Sequence, residues 1–275
     1  MRKMKRMTLI GIAFLLLCLC GCSSPIAGVD AEKLELVVLK IGKADSMVIN
    51  VGNKTVLVDS GEEDDGEEIL QFLKDSKIDQ IDYMIITHFD KDHVGGADIL
   101  LNHFKVSQVI TPDYESDSKQ YQEFAAALAA NQLTPTTLTD ELSLEAGNAD
   151  FTIYPPQQSS YKGDNDYSLI VSVEHGANSL LLAGDAEEIR LQELIKQGNL
   201  AHTFLKVPHH GRYNSESMEF FTLVKPKYAV ITSSDKNPEE EEVVDALTRL
   251  GSTVYTTRQG NIYVSSDGEK IEIKQ

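Results

Sequence analysis

Tryptophan is absent from this 275-residue chain, and cysteine occurs only at positions 18, 20 and 22. The remainder has no disulfide to hold it together and no thiol to act as nucleophile or metal ligand. Long apolar runs are missing too. No 20-residue apolar segment follows Cys22, which excludes a helix-lined membrane pore. Basic residues are few: 25 Lys and Arg stand against 43 Asp and Glu, a net charge of −18. Such a charge repels polyanions at long range, which counts against a high-affinity nucleic-acid binder but not against an enzyme whose site is locally positive. There is no low-complexity tract and no 20–50-residue repeat.

The first residues bear on location. "MRKMKRM" supplies Arg2, Lys3, Lys5 and Arg6, and "TLIGIAFLLLCLC" is an apolar stretch of 13 residues, short for a spanning helix. It runs into Leu19-Cys20-Gly21-Cys22. Leu at −3, a small residue at −1 and Cys at +1 resemble the lipobox of a bacterial lipoprotein. The resemblance implies a signal peptide over 1–21, lipidation at Cys22 and a tether over 22–33. The product would be extracytoplasmic and held to the membrane by lipid alone, since a processed, multiply acylated cysteine anchors stably. Loss of the leader takes the net charge to about −22.

Residues 34–275 read as one large domain, with enough core to need no staples. "LELVVLKIG", "DSMVINVG" and "KTVLVDSG" are Val-, Ile- and Leu-rich strands separated by glycine turns. From "DDGEEILQFLKDSKI" onward, helical spacing alternates with buried-type strands such as "IDYMII", "YSLIVSVEHG" and "NSLLLAGD". "AEEIRLQELIKQG" is a helix closed by Gly198, and "PEEEEVVDALTRLG" is another. Strands followed by strand–helix units, in two halves, predict two sheets packed on each other with helices outside. Periodicity alone does not separate this from a three-layer α/β fold.

The chemistry concentrates in "THFDKDHVGG". His88 and Asp90 are two residues apart and share a side if the backbone is extended. Asp92 and His93 diverge onto neighbouring positions if it turns. Imidazole suits zinc, manganese or iron, and carboxylate suits harder ions, so one loop after a buried strand can serve two metals. Gly95-Gly96 allows a helix to begin close beside it.

This HxDxDH sequence resembles the HxHxDH motif of the metallo-β-lactamase superfamily. More closely, it is similar to the extracellular hydrolase domain of the ComEC family of DNA-uptake proteins, whose branch also has Asp in the second place. Gly42, Asp45 and Ser46 of "LKIGKADS" match that family's opening element, while Lys40, Lys43 and Ala44 depart from its Asp, Gln and Gly. The resemblance implies an α/β four-layer αββα sandwich with two mixed β-sheets face to face. It also implies two divalent ions, Zn or Mn, held by His88, Asp90, Asp92, His93, Asp185 and His209. Asp59 of "VDSG" would orient the metal loop, and Asp185 of "LLLAGDAEE" would bridge the metals unless it only caps the following helix. In "LKVPHHGR", His209 is assigned as ligand and His210 as the transition-state group, with the reverse order left open. Asp92, His210 and Asp59 form the catalytic set. Lys206, Arg212 and Asn165 are substrate-binding candidates. "GDNDYS", residues 163–168, has no histidine where many members place one, leaving a weak oxygen ligand or water there. His103, His175 and His202 are expected to be structural, with His175 in an exposed turn.

The expected function is a surface phosphodiesterase or nuclease on DNA using a metal-activated water. Two alternatives remain: a phosphoesterase on teichoic-acid or phospholipid head groups, and a non-catalytic metal- or ligand-binding lipoprotein. β-Lactam hydrolysis is the weakest reading, given Asp90 and the missing histidine. Nothing points to a stable protein partner.

Overall fold

In a computed structural model, residues 33–275 are described; the signal peptide, Cys22 and nearly all of the tether lie outside them. The strands are β1 (Leu34–Val38), β2 (Met47–Val51), β3 (Lys54–Val58), β4 (Gln80–Ile85), β5 (Lys105–Pro112), β6 (Thr136–Leu138), β7 (Leu142–Ala146), β8 (Ala149–Tyr154), β9 (Ile170–His175), β10 (Asn178–Leu182), β11 (Phe204–Lys206), β12 (Tyr228–Ile231), β13 (Thr253–Thr256), β14 (Ile262–Ser266) and β15 (Ile271–Lys274). The helices are α1 (Gly66–Asp75), α2 (Lys91–Val94), α3 (Ala97–His103), α4 (Lys119–Ala130), α5 (Glu188–Gln197), α6 (Ser217–Val224) and α7 (Glu241–Arg249).

Two mixed sheets result. One runs β15-β14-β1-β2-β3-β4-β5-β6 and the other β13-β12-β11-β10-β9-β8-β7. Side-chain alternation assigns the layers. Leu36 and Val38 of β1, with Met47 and Ile49 of β2, face an inter-sheet core shared with Phe151, Val171, Val173, Leu180 and Phe204. Val37 and Val48 face the other way, against Leu70 and Leu73 of α1, Leu100 of α3 and Phe124 of α4. On the far side, Leu181, Leu205 and Ala229 meet Leu191 of α5, Phe220 of α6 and Leu247 of α7. Both faces of each sheet are thus covered over much of their area, which is why the central strands read as continuous apolar runs. This is the αββα sandwich.

A short helix, α2, ends at Val94 just before the paired glycines, and α3 starts at Ala97 just after them. A Cβ on Gly95 or Gly96 would collide with the backbone of Lys91 or Ser60, so both glycines are needed where α1 crosses. β6 and β7, in a Thr- and Glu-rich stretch, are the terminal strands of their sheets. His175 is buried: Nδ1 meets Ser266 Oγ at 2.7 Å and Nε2 meets Asn148 Oδ1 at 3.1 Å, because the β14–β15 turn closes over it. Among the described residues no helix is long and apolar enough to cross a membrane.

Candidate metal centre

The carboxyl ends of parallel strands meet at one rim, where α/β folds place their sites. β3 delivers Asp59, β4 delivers His88 to His93, β10 delivers Asp185, and β11 delivers His209 and His210. The backbone ties these loops together. Asp45 N donates to Asp92 O at 3.1 Å, Ser60 N to His93 O at 2.7 Å, and His209 N to Gly184 O at 3.2 Å.

Three groups of candidate ligands share His93: His88, His93 and Asp185; Asp92, His93 and His210; and Asp45, Asp59 and His93. Asp185 spans the first two. Its Oδ1 lies 3.3 Å from His93 Nε2 and its Oδ2 lies 3.0 Å from His210 Nε2. Asp92 Oδ2 is 3.3 Å from His210 Nε2. The buried Nε2 atoms of His88, His93 and His210, with Asp185 Oδ1, make no hydrogen bond despite this crowding, whereas Asp92 Oδ2 is paired with the Lys43 ammonium at 2.6 Å. Buried polar atoms without partners are costly. Their convergence, and a donor set of imidazole nitrogens and carboxylate oxygens, fit divalent metal ions. Asp90 stands at the start of α2, with Oδ2 3.7 Å from His88 Nε2 and its side chain more open than the rest.

Asp59 organises the loop. It accepts from Thr87 N at 2.7 Å and Thr87 Oγ1 at 2.8 Å, and its Oδ2 lies 2.9 Å from His93 Nδ1. A carboxylate there assigns the proton of a neutral ring to Nδ1 and leaves Nε2 for a ligand. Asp59 has φ of 60°, a conformation that non-glycine residues rarely hold. Burial disfavours every charge in this region, yet pairing prevails. Asp185 and Asp59 hold the His93 imidazolium well above its usual range, and Asp185 and Asp92 raise His210. Beside His210, His93 and Lys206, the Asp185 carboxyl falls well below its ordinary range. The ring protons here supply the positive charge that the carboxylates demand, and a metal ion would have to displace them.

"PHHG" resolves the order of its histidines. His209 and His210 both have left-handed backbone, with φ of 46° and 52°. That turn sends His210 inward, with Nδ1 held by Thr232 Oγ1 at 3.0 Å. His209, the expected ligand, turns away toward Glu187 Oε1 at 3.1 Å and Asn165 Nδ2 at 3.4 Å. Lys206 is corrected as a substrate contact: it is fully buried, pairs with Asp45, and donates to Gly184 O at 3.0 Å. Arg212 pairs at the surface with Glu240 at 3.6 Å. Asn165 does face the rim, donating to Glu187 at 3.1 Å while its Oδ1 is buried without a partner. Asp185 does not cap α5, whose N-cap is Glu187. Its own N–H is held by Ser168 Oγ at 3.1 Å.

Sequence reasoning passed over Asp45 and Lys43. Asp45 is fully buried, accepts from Thr232 Oγ1 at 2.6 Å and lies beneath His210. Lys43 Nζ sits 2.6 Å from Asp92 Oδ2. Their signal was the "GKADS" element itself, retained at Asp45 and altered at Lys43.

A profile of the metallo-β-lactamase superfamily matches residues 40–233. The chain belongs to that superfamily. Its curated relatives include ComE operon protein 3 of Bacillus subtilis, 30% identical over 248 residues, covering 82% of this chain and 32% of the relative. Recombination protein 2 of Haemophilus influenzae is 26% identical over 282 residues, covering 99% and 34%. The superfamily domain here thus spans about a third of those curated relatives, and the similarity supports the ComEC-like branch. The solved metallo-beta-lactamase fold protein YhfI of Bacillus subtilis shares the fold at 11% identity, with a TM-score of 0.61 over 85% of this chain and 100% of that one.

Proposed function

We propose that this superfamily member is a ComEC-like phosphodiesterase that cleaves DNA outside the cell, anchored by lipid at Cys22. The observation that carries the metal chemistry is Asp185, whose two oxygens reach toward His93 and His210 at 3.3 and 3.0 Å. A carboxylate so placed can join two ions. Divalent ions held by His88, Asp90, Asp92, His93, Asp185 and His210 would supply a deprotonated water and neutralise the departing oxygen. The chain's own residues prepare that chemistry. Asp59 orients His93, Thr232 orients His210, and Ser168 holds the Asp185 backbone. Lys206 and Asp45 compensate each other beneath the ligands. His209 and Asn165 line the outer rim, where a substrate would pass.

Support for DNA as substrate comes from the similarity to competence proteins. The net charge of −18 favours a second reading, a small phosphoester such as a teichoic-acid or phospholipid head group. The test is incubation of the protein with labelled single- and double-stranded DNA and Mn²⁺ or Zn²⁺, beside Asp185→Ala. Metal-dependent cleavage that the variant loses supports the nuclease. Intact DNA in the presence of bound metal overturns it and moves the substrate to small phosphoesters.

A further inference from the structure

The expected cations of the site are engaged elsewhere: Lys206 lies under the ligands, and Arg212 is paired with Glu240. One cation does reach the mouth. Lys43 follows Gly42, whose φ of 70° turns the β1–β2 connection over the cluster. Its ammonium is 2.6 Å from Asp92 Oδ2, the oxygen that also faces His210, and the Lys43 side chain stays 33% exposed. Among the described residues, Lys43 and Lys206 are the lysines ion-paired with a candidate ligand, and of the two only Lys43 is open to solvent. The surrounding rim is acidic, with Glu62, Asp90, Asp164 and Glu187. An anion approaching this mouth therefore needs a local positive charge.

We propose that Lys43 is a substrate-binding residue, whose ammonium holds Asp92 with one N–H and offers the others to a non-bridging oxygen of a substrate phosphate. The ammonium has three donors on a flexible stem, so it can bridge a carboxylate and a phosphate at once. It places a fixed positive charge beside the ligand cluster, where charge on a phosphoryl oxygen is felt most. The inference rests on the phosphoester reading of the site.

The test uses the full chain, Lys43→Gln and Lys43→Arg, titrated calorimetrically with Mn²⁺ and then, once loaded, with inorganic phosphate. Loss of one charge-assisted hydrogen bond should weaken phosphate binding by about 10-fold or more in the Gln variant. Arg keeps the charge and should stay within about 3-fold. Mn²⁺ affinity of the Gln variant should equal or exceed that of the wild type, since a competing cation leaves Asp92. Unchanged phosphate affinity in Lys43→Gln overturns the assignment alone. So does a parallel loss of Mn²⁺ affinity, which would make Lys43 part of the metal scaffold. Wild-type protein that binds Mn²⁺ but no phosphate overturns both this inference and the phosphoester reading.

Discussion

Replacing Asp59 with Asn removes a charge and almost no volume, so it isolates what that carboxylate does. Oδ1 accepts from Thr87 N at 2.7 Å, a bond the amide oxygen can keep. Oδ2 meets Thr87 Oγ1 at 2.8 Å and His93 Nδ1 at 2.9 Å, and there the variant presents an NH2. The hydroxyl can rotate to accept. The imidazole must accept as well, which moves its proton to Nε2, the atom facing Asp185. A metal then binds only after that tautomer is reversed. Loss of such a supporting carboxylate should lower metal affinity about 10- to 100-fold, or about 1.4 to 3 kcal/mol. Losing the buried charge-assisted bond should cost about 1–3 kcal/mol of folding stability. Mn²⁺ titration calorimetry, with urea unfolding in chelator, reads both quantities. Wild-type Mn²⁺ affinity in a folded Asp59→Asn variant would refute the role given to Asp59.

Other perturbations follow from the same geometry. Lys206→Met strands the buried Asp45 carboxylate and should cost about 3–5 kcal/mol in urea unfolding, with Asp45→Asn restoring most of it; a loss under about 1 kcal/mol contradicts the pairing. His210→Gln should lower metal affinity at least about 10-fold while His209→Gln changes it by less than about 3-fold, as read by the same titration; equal effects would contradict the inward and outward placement. Burial pushes the Asp65 carboxyl up to about 6, helped by Glu62, Glu68 and Asp64 and opposed by the Glu62 N–H. A folded state that holds a proton more tightly than the unfolded one loses stability as pH rises from about 4 to 6. Asp65→Asn, which still accepts from Glu62 N, should therefore gain about 1 kcal/mol above that range after solvent screening, and the gain should vanish in acid. A melting-temperature difference independent of pH would contradict this.

Much of the architecture was legible because the central strands are covered on both sides. Val37 and Leu36 face opposite cores yet are both apolar, so a continuous run announced a buried strand. The His88–His93 cluster was legible because those residues share one short segment, whose geometry is local. What escaped depends on distant chain segments. Lys206 was read as a substrate contact because lysine is usually exposed; its partner, Asp45, lies far away in sequence on the β1–β2 connection. His209 and His210 are neighbours of identical type, and only the left-handed turn through both decides which points inward. His175 sits beside a glycine turn that suggests exposure, but residues of the β14–β15 hairpin cover it. β6 and β7 carry the polar residues of sheet ends, so their alternation is faint.

The central claim is that Asp185 joins two metal positions. Equilibrium dialysis against Mn²⁺, with metal per chain counted by plasma mass spectrometry, tests it for the wild type and Asp185→Asn. Two ions should bind per wild-type chain and no more than one in the variant. No bound metal in the wild type, or an unchanged pair in the variant, would contradict the claim.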